Sequence, residues 1–183
     1  MKQYLKVALS LFLICAVAAS LLAVINAITA PVIAANSEKE TIEAYNAIAA
    51  GYTFDLGDLS SGDTSGVEYY IPLYDGQEIA GYIVGLTGNG YGGAFTLVAS
   101  YDIDGTLLEA KMMANSETPG LGKKAEESWY MKQFAGLGGE KPLPESKNDL
   151  ADPSAVSGAS VTFNGVNKVL KTGSDMIKKM GGR

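Results

Sequence analysis

An α+β domain behind a single N-terminal transmembrane helix is the fold class this sequence predicts, the domain being an antiparallel sheet with flanking helices. Three observations carry the prediction. No charged residue falls between Lys6 and Glu38, a run of 31 positions. Four strand-like runs, separated by turn residues, follow in the middle of the chain. Near its end, apolar residues recur at helical spacing.

The uncharged run comes first. A bilayer core needs about 20 apolar residues in a helix, so residues 7–35 are expected to span a membrane with some length left for tilt. A cleaved signal peptide has an apolar region of roughly 7–15 residues. The run here is about twice that, so the segment is expected to stay as an anchor, although Thr29-Ala30-Pro31 and Ala34-Ala35-Asn36 imitate cleavage sites. Cys15 follows Phe12-Leu13-Ile14 rather than small residues, which does not fit a lipoprotein site. Lys2 and Lys6 precede the span, and behind it Lys39 stands among Glu38, Glu40 and Glu43. Positive residues favour the cytoplasmic side, so residues 1–6 are expected in the cytoplasm and the domain outside the cell membrane.

Residues 36–66 read as a linker. A helix is expected over 38–50, then a polar loop rich in Gly, Ser and Asp over 55–66. Residues 67–183 read as the domain. Strands are expected over 67–74, 79–86, 94–101 and 106–113, with turns at Asp75-Gly76 and Asp104-Gly105 and a glycine-rich segment at 88–93. Consecutive strands joined by short turns predict an antiparallel meander. A helix over 123–134 and a Gly/Pro-rich loop over 136–150 follow. The last helix is expected over 162–180, where Val166, Val169, Leu170, Ile177 and Met180 keep helical spacing.

Charge and absences narrow the function. All 20 acidic residues lie behind the span with 12 of the 14 basic ones, a formal balance of −8 for that part. Such a balance argues against nucleic acid and against docking on anionic lipid. There is no histidine, and the one cysteine lies in the span. The domain's own residues therefore exclude a disulfide, a Cys-ligated iron–sulfur cluster, a His/Cys zinc site, a His-ligated haem and a Ser-His-Asp triad. Redox chemistry here would need an organic cofactor.

Three segments could carry chemistry. Ser157-Gly158-Ala159-Ser160-Val161-Thr162 puts small residues and three hydroxyls where the last helix exposes unpaired N–H groups, a place that suits phosphate and equally suits a plain helix cap. Glu117-Thr118-Pro119-Gly120-Leu121-Gly122 follows a strand with forced turns and reads from its residues as a strand-to-helix connection. Gly88-Asn89-Gly90-Tyr91-Gly92-Gly93 lacks the Gly-Lys-Ser/Thr of a phosphate loop; it reads as a hairpin loop, or as backbone passing close to a ligand.

The order of these pieces resembles one family. A single N-terminal span, Gly-Tyr-Gly-Gly, Glu-Thr-Pro-Gly-Leu-Gly and then Ser-Gly-Ala-Ser-x-Thr before a last helix is similar to the FMN-binding domain of the Rnf complex G subunit, itself related to the C subunit of the sodium-translocating NADH:quinone oxidoreductase. The resemblance covers essentially the whole chain. It implies an FMN joined through its phosphate to Ser160, with Ser157, Gly158, Ala159 and Thr162 lining the phosphate. Glu117, Thr118, Gly120 and Leu121 would approach the flavin ring, Thr118 and Leu121 foremost. The chain departs from the family pattern at three places: Ser160 stands where threonine is usual, Ser154 where an aspartate is usual, and Asn115-Ser116 where a histidine is often found. Asp152 is the nearest acid, and Thr162 is a second candidate acceptor.

The resemblance also implies a role. The protein would be an electron-carrying subunit, with no substrate turnover of its own, in an ion-translocating ferredoxin:NAD oxidoreductase. Its partners would be the other membrane subunits of that Rnf complex and a flavin transferase that attaches the FMN. The alternatives are a stand-alone membrane-anchored FMN-binding protein of another reductase or regulatory system, and a non-redox anchored scaffold.

Overall fold

The computed structural model describes residues 2–62 and 64–181. They fall into two units, one ending at Ile42 and the other beginning at Glu43.

The first unit is helical throughout and belongs to α1 (Lys2–Ile48). The stretch Tyr4–Ile48 is long and apolar enough to cross a membrane. Its apolar side chains, Leu9, Phe12 and Ile25 among them, are exposed, which water would penalise and lipid would not. Three hydroxyls in the uncharged run bond within the helix: Ser10, Ser20 and Thr29 donate to the carbonyls of Lys6, Ala16 and Ile25 at 3.0, 2.7 and 2.6 Å. A lipid environment requires that kind of internal pairing.

The second unit is built on the predicted antiparallel meander. Its strands are β1 (Ser60–Ser61), β2 (Val67–Asp75), β3 (Glu78–Asn89), β4 (Ala94–Asp102) and β5 (Leu107–Ala114), in sequence order across one five-stranded sheet. The short edge strand β1 lies inside the segment that the sequence reads as loop, paired through Ser60 to Tyr70 and Ser61 to Tyr69. β3 runs into the glycine-rich segment, with Gly88 opposite Phe95 and Asn89 opposite Ala94. A Cβ at Gly88 would lie 2.6 Å from the Phe95 ring and 2.8 Å from Val169, so glycine lets the strand continue beneath packed side chains.

Both faces of the sheet are covered. On one lie the end of α1 and the residue after it, where Ala44, Tyr45, Ile48 and Ala49 pack with Ile71, Leu73, Ile83 and Val98. The compact unit therefore opens at Glu43, ahead of position 67 where the sequence reading starts the domain, because the end of α1 supplies half of this second core. On the other face lie a 3₁₀ turn (Gly122–Glu126), the short helix α2 (Ser128–Lys132) and the final helix α3 (Ser160–Gly181). Val84, Leu86, Leu97, Tyr101, Phe134, Phe163, Val166 and Leu170 fill that core. The helix read over 123–134 is thus split, and α3 begins two residues before 162.

Two buried bonds fix α3 to the sheet. The Tyr101 hydroxyl donates to Leu170 O at 2.9 Å, and Ser174 Oγ donates to Gly105 O at 2.7 Å. Near the other end of α3, a Cβ on Gly165 would come 2.3 Å from Asn89 O. The missing side chain brings the start of α3 down beside the glycine-rich hairpin, and the site lies there.

Candidate functional site

Three loops that are far apart in sequence meet at the start of α3. Tyr91 comes from the hairpin between β3 and β4. Glu117, Thr118, Leu121 and Gly122 come from the turn after β5, and Gly158 to Thr162 from the entry to α3. They line a cleft of about 440 Å³, within the range of pockets that hold small molecules and cofactors.

Local chemistry shapes each wall. The turn after β5 folds back because Leu121 N and Lys123 N both donate to Thr118 O, at 3.1 and 3.2 Å, with Gly120 at φ +76°. Asn115 organises its entry: its Oδ1 accepts from Glu117 N at 2.9 Å, while its Nδ2 donates to Glu126 Oε1 at 2.8 Å. The entry to α3 turns at Gly158, φ +79°, where a Cβ would stand 2.9 Å from Leu121 Cδ2. Asp152 caps the preceding 3₁₀ turn (Pro153–Val156) by accepting from Ser154 N at 3.0 Å. The first helical bond of α3 runs from Phe163 N to Ala159 O, at 2.9 Å. The amides of Ser160, Val161 and Thr162 therefore belong to the open first turn, where N–H groups lack helical partners and the helix dipole is positive.

One carboxylate joins all three walls. Glu117 is only 4% exposed. Its Oε2 accepts from the Thr162 hydroxyl at 2.8 Å, and its Oε1 accepts from Gly92 N at 3.1 Å. A Cβ at Gly90 or Gly122 would fall 2.0 or 2.1 Å from those oxygens, so glycine on either side makes room for the acid.

The sequence-derived site residues separate into three groups. Ser160, Gly158, Ala159, Thr118 and Leu121 line the cleft, with Ser160, Thr118 and Leu121 exposed to it or to solvent. Glu117 and Thr162 also border it, but their polar atoms turn inward onto one another. Thr162 is 1% exposed and donates its hydroxyl to Glu117, so as folded it does not offer a free nucleophile. Ser157 and Gly120 are exposed but are not part of the lining. Tyr91, 77% exposed, joins the site although the sequence reading left its segment open between hairpin loop and ligand contact. Lys147 also joins it: its ammonium donates to Ser160 Oγ at 3.3 Å. No local pattern marks that lysine, which lies in the Gly/Pro-rich stretch.

The arrangement suits a phosphorylated, partly apolar cofactor. An exposed hydroxyl, open helix amides and a lysine gather at one end. Gly158 and Ala159 leave room there, while Leu121, Val161 and Tyr91 supply apolar surface.

Known proteins resemble this chain over the segments that form the cleft. The model of the FMN-binding domain family matches residues 90–174, which include all three walls, and that of the RnfG N-terminal region matches residues 1–48. The G subunit of the ion-translocating oxidoreductase complex of Cereibacter sphaeroides is 32% identical over 133 residues, 69% of this chain and 60% of that protein. The chain thus spans less than two thirds of that relative's length. The G subunit of the Na(+)-translocating ferredoxin:NAD(+) oxidoreductase complex of Acetobacterium woodii is 28% identical over 200 residues, 97% of this chain and 95% of that protein. A crystal structure of the C subunit of the Na(+)-translocating NADH-quinone reductase from Parabacteroides distasonis superposes with a TM-score of 0.44 at 21% identity, over 61% of this chain and 62% of that one.

Proposed function

Because this chain joins an RnfG N-terminal region to an FMN-binding domain, it belongs to the RnfG family of FMN-binding proteins, and from that premise we propose that it is a membrane-anchored electron carrier bearing FMN as a phosphoester on Ser160. The complex it serves would be an ion-translocating ferredoxin:NAD oxidoreductase, as the names of its relatives suggest.

The observation that carries the acceptor assignment is the contrast between two hydroxyls. Ser160 is exposed at the cleft in the open first turn of α3, whereas Thr162 is buried and committed to Glu117. Serine and threonine both offer an oxygen able to form a phosphoester, so the serine at 160 suffices. A separate flavin transferase would make the bond from a flavin dinucleotide: Ser160 Oγ attacks the flavin-side phosphorus, the pyrophosphate bond breaks, the nucleoside monophosphate leaves and the hydroxyl proton passes to solvent. Bound FMN supplies the one-electron redox chemistry, and the chain's residues hold and orient it. The amides of Ser160 to Thr162 would stabilise the phosphate charge. Thr118 and Leu121 would meet the ring, with Gly158 keeping Leu121 close to the phosphate end.

The anchor gives this chemistry a place. The lysines ahead of the span and the acids behind it support a cytoplasmic N-terminus and an extracytoplasmic domain. A covalent bond is useful there, since lost FMN would not readily be replaced outside the cytoplasm.

Intact mass of the purified chain, produced with a flavin transferase, tests the assignment. The wild type should carry the added mass of a flavin phosphate and stay fluorescent after denaturation. Ser160→Ala should lose both and Ser160→Thr should keep both. Denaturation-resistant flavin on Ser160→Ala would place the acceptor elsewhere.

A further inference from the structure

We propose that Lys147 is the cation that pairs with the flavin phosphate at Ser160, a role that rests on the attachment described above. The lysine comes from a different part of the chain than the motifs around the cleft, yet its Nζ lies 3.3 Å from Ser160 Oγ. Phosphate oxygens carried on that Oγ would lie within reach of the same ammonium. An ammonium has three donors, so the bond to Oγ leaves two for those oxygens. Lysine is well suited to this as a compact point charge.

The surroundings hold the lysine in place. Lys147 opens a 3₁₀ turn (Lys147–Asp149) closed by a reciprocal cap: Ser146 N donates to Asp149 Oδ2 at 2.8 Å, and Asn148 N donates to Ser146 Oγ at 3.2 Å. Leu143 and Leu150, on either side of the turn, are buried in the main core. Asn167 of α3 donates from Nδ2 to Pro144 O at 2.6 Å, tying the loop to the helix that carries Ser160. The backbone under Lys147 is thus ordered before any ligand arrives, which lowers the entropy lost on binding. The charge balance points the same way. Glu145 precedes the turn, Asp149 closes it and Asp152 follows it, in a part of the chain whose formal balance is acidic, so a bound phosphate gains from a cation beside it.

The full-length chain in detergent provides the test. Two readouts are taken on wild type, Lys147→Met and Lys147→Arg: the initial rate of flavin attachment by the transferase, and the phosphorus NMR resonance of the attached phosphodiester. Lys147→Met should slow attachment by about fivefold, the upper end for a solvent-exposed charge pair. It should also move the resonance toward that of a phosphodiester free in water. Lys147→Arg should restore both, and added salt should shrink the difference between wild type and Met. A wild-type rate and an unmoved resonance in Lys147→Met would overturn the proposal, as would an Arg variant that behaves like Met. Should Lys147→Met fail to fold by circular dichroism, Lys147→Gln takes its place in the same comparison. The two readings fail separately: resistant flavin on Ser160→Ala removes the acceptor, whereas unchanged behaviour of Lys147→Met removes only the lysine.

Discussion

Thr162 donates its hydroxyl to Glu117, Oγ1 to Oε2 at 2.8 Å, across 45 positions of sequence and with both side chains buried. The bond joins the first turn of α3 to the turn after β5, and the other oxygen of Glu117 holds the hairpin through Gly92 N. The three walls of the cleft therefore share one acid.

Thr162→Val should break this clamp without changing the side chain's shape much. It leaves a buried carboxylate oxygen short of a donor, which costs about 1–3 kcal/mol. Thr162→Ser should recover most of that. Denaturant unfolding of the three proteins measures it, and a valine variant as stable as wild type would mean that the clamp contributes little. Thr162→Val should still carry flavin, because the hydroxyl that it removes is not the acceptor.

Gly122 and Gly120 should respond differently to alanine. At Gly122 the added Cβ would sit 2.1 Å from Glu117 Oε2 and 2.6 Å from Thr162 Oγ1, so the clamp must open. At Gly120 the space is free and the penalty is the left-handed backbone alone, φ +76°, about 1 kcal/mol. Gly122→Ala is expected to lose more stability and to load less flavin. Equal effects at the two positions would show that the clash is relieved cheaply.

Leu121 is 43% exposed, so a charge there is tolerable to the fold. Leu121→Asp should leave the unfolding free energy within about 0.5 kcal/mol of wild type, as surface substitutions generally do. If the leucine meets the flavin ring, the same change should shift the flavin's absorbance or midpoint potential. An unaltered spectrum and potential in the loaded variant would count against ring contact.

Protease applied to the outer face of the cell membrane should digest the domain while the anchor stays behind. Protection from outside, with digestion only from the cytoplasmic face, would reverse the orientation that Lys2 and Lys6 suggest.

Burial pushes the Tyr101 phenol well above its ordinary range, and burial followed by the nearby Glu117 charge does the same to Tyr130. Both stay protonated in the folded state, whereas an unfolded phenol ionises near pH 10. Above that pH the unfolded state binds fewer protons, so this contribution is fully present below about pH 10 and declines as pH rises beyond it, by about 1.4 kcal/mol per pH unit for each such phenol. Denaturant midpoints at rising alkaline pH should fall with that slope, and Tyr101→Phe should reduce it. A phenolate signal from these two tyrosines before unfolding would contradict the prediction.

Much of this protein was decided by sequence alone. Thirty-one uncharged positions give a helix long and apolar enough to cross a membrane, whatever the rest of the chain does. Strand-like runs divided by Asp75-Gly76 and Asp104-Gly105 leave an antiparallel meander as the local solution, and helical spacing marks α3. The hydroxyl motif is legible because helix starts and small residues are local properties. Tertiary structure decided what each of those residues does. Glu117 and Thr118 are neighbours in one motif, yet one is buried in a clamp and the other opens on the cleft. Ser160 and Thr162 stand two positions apart in the first turn of α3, and a turn of about 200° between them in an α-helix sends one hydroxyl outward and the other into the core. Lys147 reaches Ser160 because the buried side chains of Leu143 and Leu150 and the bond from Asn167 fold an aperiodic loop against α3. No periodicity encodes that approach, since it depends on packing between segments that share no local pattern.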